Sequence, residues 1–164
     1  MVRRAQAHDF AQRPIVRVHM PVGRPSAVQA YQITHLAVAL LSAIDAVEAS
    51  GRRVELSLVD RGDRHLYQDH YEITIKRASE AWNVRSVAAA LHPAIGRRLG
   101  FRMVECASLL ADRRVPGGYG RHMDAADKSV VALQWTDSTY ATSIEKAQSV
   151  VAMRFAAAGV RVTF

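Results

Sequence analysis

Three observations predict an α/β fold for this 164-residue chain. Segments with strand-like alternation take turns with segments of helical spacing, in the order β-α-β-β-α-α-β-α-β. Ile33, Ala37, Leu40, Ile44 and Val47 step by four and three along one segment, which is the apolar stripe of a helix. Ser129–Trp135 is almost continuously apolar, as a strand covered on both faces would be. With 49% apolar and 23% charged residues, the chain can bury a core and does not read as disordered. Its length suits a single domain, since domains run to roughly 100–200 residues.

Each element follows from local chemistry. Residues 1–13 are polar and basic without periodicity and read as a flexible leader, leaving 14–164 as the α/β domain. Ile15–Met20 reads as a strand, broken by Pro21, Gly23 and Pro25. Ser26 is placed as the N-cap of a helix running to about Ser50, with Gly51 just past its end. Arg53–Val59 and Tyr71–Lys76 alternate as strands around a polar loop at 60–70. With no helix between them, they form an antiparallel pair. Val84, Val87, Ala88 and Leu91 mark a short helix that ends at His92, before Pro93. A helix over about 93–111 carries Ile95, Leu99, Met103, Cys106 and Leu110, and Cys106 on that stripe reads as a small buried hydrophobe. Residues 112–128 are a glycine-rich loop. Ser143 caps a last helix over Ile144, Ala147, Val151, Phe155 and Ala158, followed by Gly159 and a strand Val160–Phe164. The expected sheet is five-stranded and mostly parallel, in the order 3-2-1-4-5. One edge strand is antiparallel, and helices cover both faces.

Two stretches carry a family resemblance. Val130-Val131-Ala132-Leu133-Gln134-Trp135-Thr136-Asp137-Ser138 resembles the central strand and Thr-Asp turn of the von Willebrand factor A-like domain. Ala157-Ala158-Gly159-Val160-Arg161-Val162-Thr163-Phe164 resembles that fold's following helix end and strand, where the resemblance stops without a closing helix. Gly51-Arg52-Arg53-Val54-Glu55-Leu56, His92-Pro93-Ala94 and Arg97-Arg98-Leu99 are similar to an uncharacterised phage- and prophage-encoded family. Together these imply a von Willebrand A-like sandwich over 14–164, in a bacterial or phage-infected cell or associated with a virion. Metal-binding members of the first family carry Asp-x-Ser-x-Ser after the first strand. Here that place holds Met20-Pro21-Val22-Gly23-Arg24-Pro25-Ser26, without a carboxylate. No metal or cofactor is therefore expected, and Arg24, Ser26, Tyr119, Thr136 and Asp137 become a candidate interaction crevice rather than an ion site.

Charge and composition narrow the function classes. The formal net charge is +7, with arginine supplying most of the cations. Arginine pairs suit phosphate, so Arg97, Arg98, Arg113 and Arg114 are candidate polyanion contacts. Cys106 stands alone, so there is no internal disulfide framework and no Cys-based zinc site; a reducing, cytoplasmic compartment is expected. No run approaches the ~18–20 uninterrupted apolar residues of a membrane span. Asp60, Asp63, His65, Asp69, His70 and Glu72 could hold a metal or do acid–base work, but they fall where a hairpin loop must be polar anyway. Pro116-Gly117-Gly118-Tyr119-Gly120 lacks the Lys-Ser/Thr of a phosphate loop, and no Gly-x-Ser-x-Gly nucleophile elbow occurs. The resulting expectation is a non-catalytic macromolecular interaction module with a protein partner or a second copy of itself. A basic nucleic-acid-binding protein is the alternative and a metal-dependent enzyme the third reading.

Overall fold

The computed structural model describes residues 13–23, 27–64, 67–92, 98, 102, 106, 129–134 and 136–164, the side chains of 60–70 excepted. Strand β1 (Ile15–Pro21) leads into helix α1 (Ala30–Ala49), then strands β2 (Arg53–Arg64) and β3 (Tyr67–Lys76) and helix α2 (Val84–Leu91). After them come β4 (Val131–Ala132), the short helix α3 (Asp137–Tyr140) and helix α4 (Ile144–Ala157).

Alternation along β1 sets the layers. Val16, Val18 and Met20 point into the core, in register with Val54, Leu56 and Leu58 of the parallel neighbour β2. On that side α1 contributes Leu36, Ala39, Leu40, Ala43 and Ile44, and α4 contributes Ala147, Val151 and Phe155, all fully buried. Val87 and Leu91 of α2 join the same cluster. Losing a ring such as Phe155 from this packing would cost about 3–5 kcal/mol. α1 is 20 residues long with a mean hydropathy of 1.4, enough by length and composition to cross a membrane. Its apolar side is spent here on the sheet and α4.

The sheet is mixed: β1 pairs in parallel with β2 and β4, and β2 pairs antiparallel with β3, in the order β3-β2-β1-β4. That reproduces four of the five expected strands and the antiparallel edge. Residues 160–164, expected as the fifth, form no strand. The physical reason is chirality. By the right-handed rule the β1-α1-β2 crossover places α1 on one face, and α4 packs against α1 on that same face. A strand beyond β4 reached from there would need a left-handed crossover, which sheets almost always avoid. The segment folds back instead, with Val160 buried, Val162 packed on the core, and the Val160 N–H donating to the Phe155 carbonyl at 2.9 Å. The expected strand at 129–135 is likewise shorter, with Val131 and Ala132 alone paired to Val18 and His19.

Three further expectations change. The described α1, α2 and α4 share one face, so helices on both faces are not seen among the described residues; the 93–111 helix expected opposite lies largely outside them. The polar stretch 60–70 is mostly strand, because β2 and β3 continue to an Arg64–Tyr67 pairing. Ladder hydrogen bonds hold a two-stranded arm whatever its polarity. α1 starts at Ala30, four residues beyond Ser26, because Gln32 Oε1 accepts from the Gln29 N–H at 2.9 Å and closes the first turn. Gly51 and Gly159 do take the left-handed conformation expected after each helix, with φ of 88° and 73°. Ser143 caps α4, accepting from the Lys146 N–H at 3.3 Å.

Candidate functional site

Beyond β4 the chain makes a tight turn at the carboxyl end of the parallel strands, where open α/β sheets usually place their ligands. Gln134 and Asp137 close that turn reciprocally: the Asp137 N–H donates to the Gln134 carbonyl at 3.1 Å, and the Gln134 N–H donates to Asp137 Oδ2 at 2.8 Å. The Thr139 hydroxyl donates to the Thr136 carbonyl at 2.6 Å. The first turns of α1 hold this loop from behind. Gln32 Nε2 donates to the Thr139 carbonyl at 3.1 Å, and His35 Nδ1 lies 3.1 Å from the Ala141 carbonyl.

Helix α4 returns past the loop and shows it a second stripe. Ala147, Val151 and Phe155 enter the core, while Lys146, Ser149 and Met153 face away from it at helical spacing and Val150, partly buried, packs at the core's edge. Between that stripe and the 134–142 loop runs an open groove of about 700 Å³. Its walls are mixed. Thr136, Thr139, Thr142 and Ser149 supply hydroxyls, while Tyr140, Val150 and Met153 supply apolar surface. Tyr140 is 63% exposed and Met153 53%, high for large apolar side chains.

One carboxylate lies among the described lining residues, that of Asp137, and it is spoken for. Arg154 Nε donates to Oδ2 at 2.9 Å and its Nη2 to Oδ1 at 2.7 Å, a two-point fork; the same Nη2 also bonds Gln134 Oε1. The Asp137 side chain is 2% exposed and that of Arg154 20%. Both carboxylate oxygens are therefore engaged, and the pair adds no net charge to the groove. Lys146 is exposed and, among the described residues, has no carboxylate partner. Neighbouring Glu145 does not line the groove. The Ser143 hydroxyl, then its own backbone amide, hold its carboxyl below the ordinary glutamate value, with a smaller contribution from His35.

Of the predicted crevice, Thr136 and Asp137 line the groove, whereas Arg24, Ser26 and Tyr119 lie outside the described residues. Arg97, Arg113 and Arg114 also lie outside them; Arg98 is helical and exposed, as is Arg102. Cys106, expected to be buried on a helix stripe, is helical but exposed. Of the carboxylate and histidine cluster, His65 is outside the description and the side chains of Asp60, Asp63, Asp69 and His70 are not described. In the β2–β3 register these four residues stand opposite Tyr71, Gln68, Gly62 and Arg61. Glu72 turns instead to His19, 3.5 Å away across the sheet. Among the described residues, no three such side chains gather as a metal set.

A family model described as a domain of unknown function (DUF7192) matches residues 1–156. The chain belongs to the DUF7192 family. No curated protein and no solved structure matches it. The match covers β1 to α4, so every groove residue lies inside the DUF7192 region. Sequence reading missed Tyr140, Lys146, Ser149, Val150, Met153 and Arg154. A signal for four of them is present: Lys146, Ser149, Val150 and Met153 form a second stripe on α4, with an exposed methionine on the side away from Ala147 and Val151.

Proposed function

We propose that this DUF7192 chain is a non-catalytic interaction module whose groove between α4 and the 134–142 loop receives part of another macromolecule. The observation that carries this reading is the pair of exposed apolar side chains, Tyr140 and Met153, at a concave surface edged by hydroxyls and a lysine. Non-obligate interfaces combine aromatic and methionine anchors with a polar rim in the same way. The engaged Asp137 supports binding over catalysis, because its carboxylate is buried and forked by Arg154 rather than presented to the groove. A von Willebrand A-like ancestry without the metal site belongs to the same proposal. It draws on the order β3-β2-β1-β4 and the Thr136-Asp137 turn, while α4 lying on the face of α1 departs from that pattern. Affinity capture with the wild-type chain and with Met153→Asp tests the reading. A protein held by the wild type should fall by at least about tenfold on the variant. Equal capture by both chains removes the groove as the binding surface.

Nucleic acid is the second reading, favoured by Arg98 and Arg102, each helical and exposed and four residues apart in sequence. Binding of a duplex DNA should then weaken steeply with salt. Arg98→Ala with Arg102→Ala should lower the slope by about two phosphate contacts. A slope unchanged in that variant ends this alternative.

A further inference from the structure

Resting on the groove reading above, we propose that the groove selects an acidic segment of a protein partner, with a carboxylate side chain set against Lys146 and an apolar side chain seated on Met153. Charge favours this occupant. Asp137 and Arg154 cancel, which leaves Lys146 as the uncompensated charge among the described lining residues, on a chain of net charge +7. Carboxylates are the groups such a surface draws in and orients. A nucleic acid suits the groove less well. One lysine neutralises one phosphate, whereas useful affinity for a polyanion is built from several such contacts, and the exposed apolar surface of Tyr140 and Met153 offers a phosphate backbone nothing.

Spacing sharpens the partner. Lys146 and Met153 are seven residues apart on α4, a rise of about 10 Å. A segment in the polyproline II conformation advances about 3.1 Å per residue and returns its side chains to the same side at every third position. A segment lying along the groove would therefore place an Asp or Glu and a large apolar residue three positions apart. The hydroxyl of Ser149 lies between Lys146 and Met153 on the same stripe, and that of Thr142 also lines the groove.

The test uses the full chain and a fluorescein-labelled peptide of Glu-Ser-Gly-Leu repeats, with a Lys-Ser-Gly-Leu peptide as its charge-reversed counterpart. Fluorescence anisotropy should show the glutamate peptide binding at least about tenfold more tightly than the lysine one. Lys146→Glu and Met153→Asp should each weaken it about tenfold. Arg161→Glu, the same charge change at an exposed site outside the groove, should weaken it less than about twofold. Equal loss at Arg161 and Lys146 would mean that the overall positive field attracts the peptide, and overturns the proposal. So does equal binding of the two peptides, or indifference to Met153→Asp. Should the peptide fail while partner capture still depends on Met153, the groove remains a binding surface for a different chemistry. Failure of both removes the groove altogether.

Discussion

Opposite ends of the sheet each hold a largely buried ion pair, and the two are put to different use. At the amino end of β2, Glu48 accepts from Lys76 Nζ at 2.7 Å and has Arg53 at 3.7 Å. The remaining donors there are turned on backbone: Lys76 on the Val54 carbonyl at 2.8 Å, Arg53 on the Ala78 carbonyl at 2.8 Å. Glu48 also accepts from the Val54 N–H at 3.1 Å. This cluster ties the end of α1 to β2, β3 and the turn after them. At the carboxyl end, Asp137 and Arg154 make an equally well-formed pair, but it forms the wall of an open groove beside a lysine, hydroxyls and exposed apolar side chains. The difference teaches that a buried ion pair is not itself a mark of function. What distinguishes the carboxyl end is the accessible, unspent surface beside the pair.

Substitutions at the two ends should separate their roles. Glu48→Ala leaves Lys76 and Arg53 buried without their carboxylate and should cost about 3–5 kcal/mol in urea denaturation. A loss under about 1 kcal/mol would show the cluster to be incidental. Asp137→Ala removes one carboxylate from a pair whose arginine is partly exposed, and should cost about 2–3 kcal/mol in the same assay. Should it cost more than Glu48→Ala, the two ends would have exchanged roles. Gln32→Ala removes both the closure of the first turn of α1 and its tie to Thr139, for about 1 kcal/mol.

The smallest effect is electrostatic. Glu145 is held below the ordinary glutamate value, so its ionised form favours the folded state. That contribution is present above the unfolded-state value and is lost as pH falls through the folded-state one. In a carbon-detected NMR titration, Ser143→Ala should raise the Glu145 midpoint towards the ordinary value. An unmoved midpoint would show that the hydroxyl is not the cause.

Much of the fold was legible because it is written locally. The stripe of α1, the glycines after both long helices, the Ser143 cap and the parallel β2-β1-β4 arrangement with its antiparallel neighbour all follow from periodicity, capping and connection length. Of the site, the Thr136-Asp137 turn was legible and its partners were not. Asp137 and Arg154 are 17 residues apart in sequence, and no spacing rule joins a turn to a helix residue nearly three turns beyond that helix's start.

The sequence alone determined the long helices and the cores of β1, β2 and β3, because side-chain period and backbone chemistry act over a few residues. Tertiary structure decided where those segments could go. A register shift in the β2–β3 ladder lets Lys76 pair with Leu56 on the core side, within reach of Glu48, a burial its place in an alternating strand did not suggest. α4 packs against α1 on the same face, and crossover handedness then denied residues 160–164 a place beside β4. The groove is a consequence of that same placement: α4 spends one stripe on the core, and its other stripe is left facing the 134–142 loop.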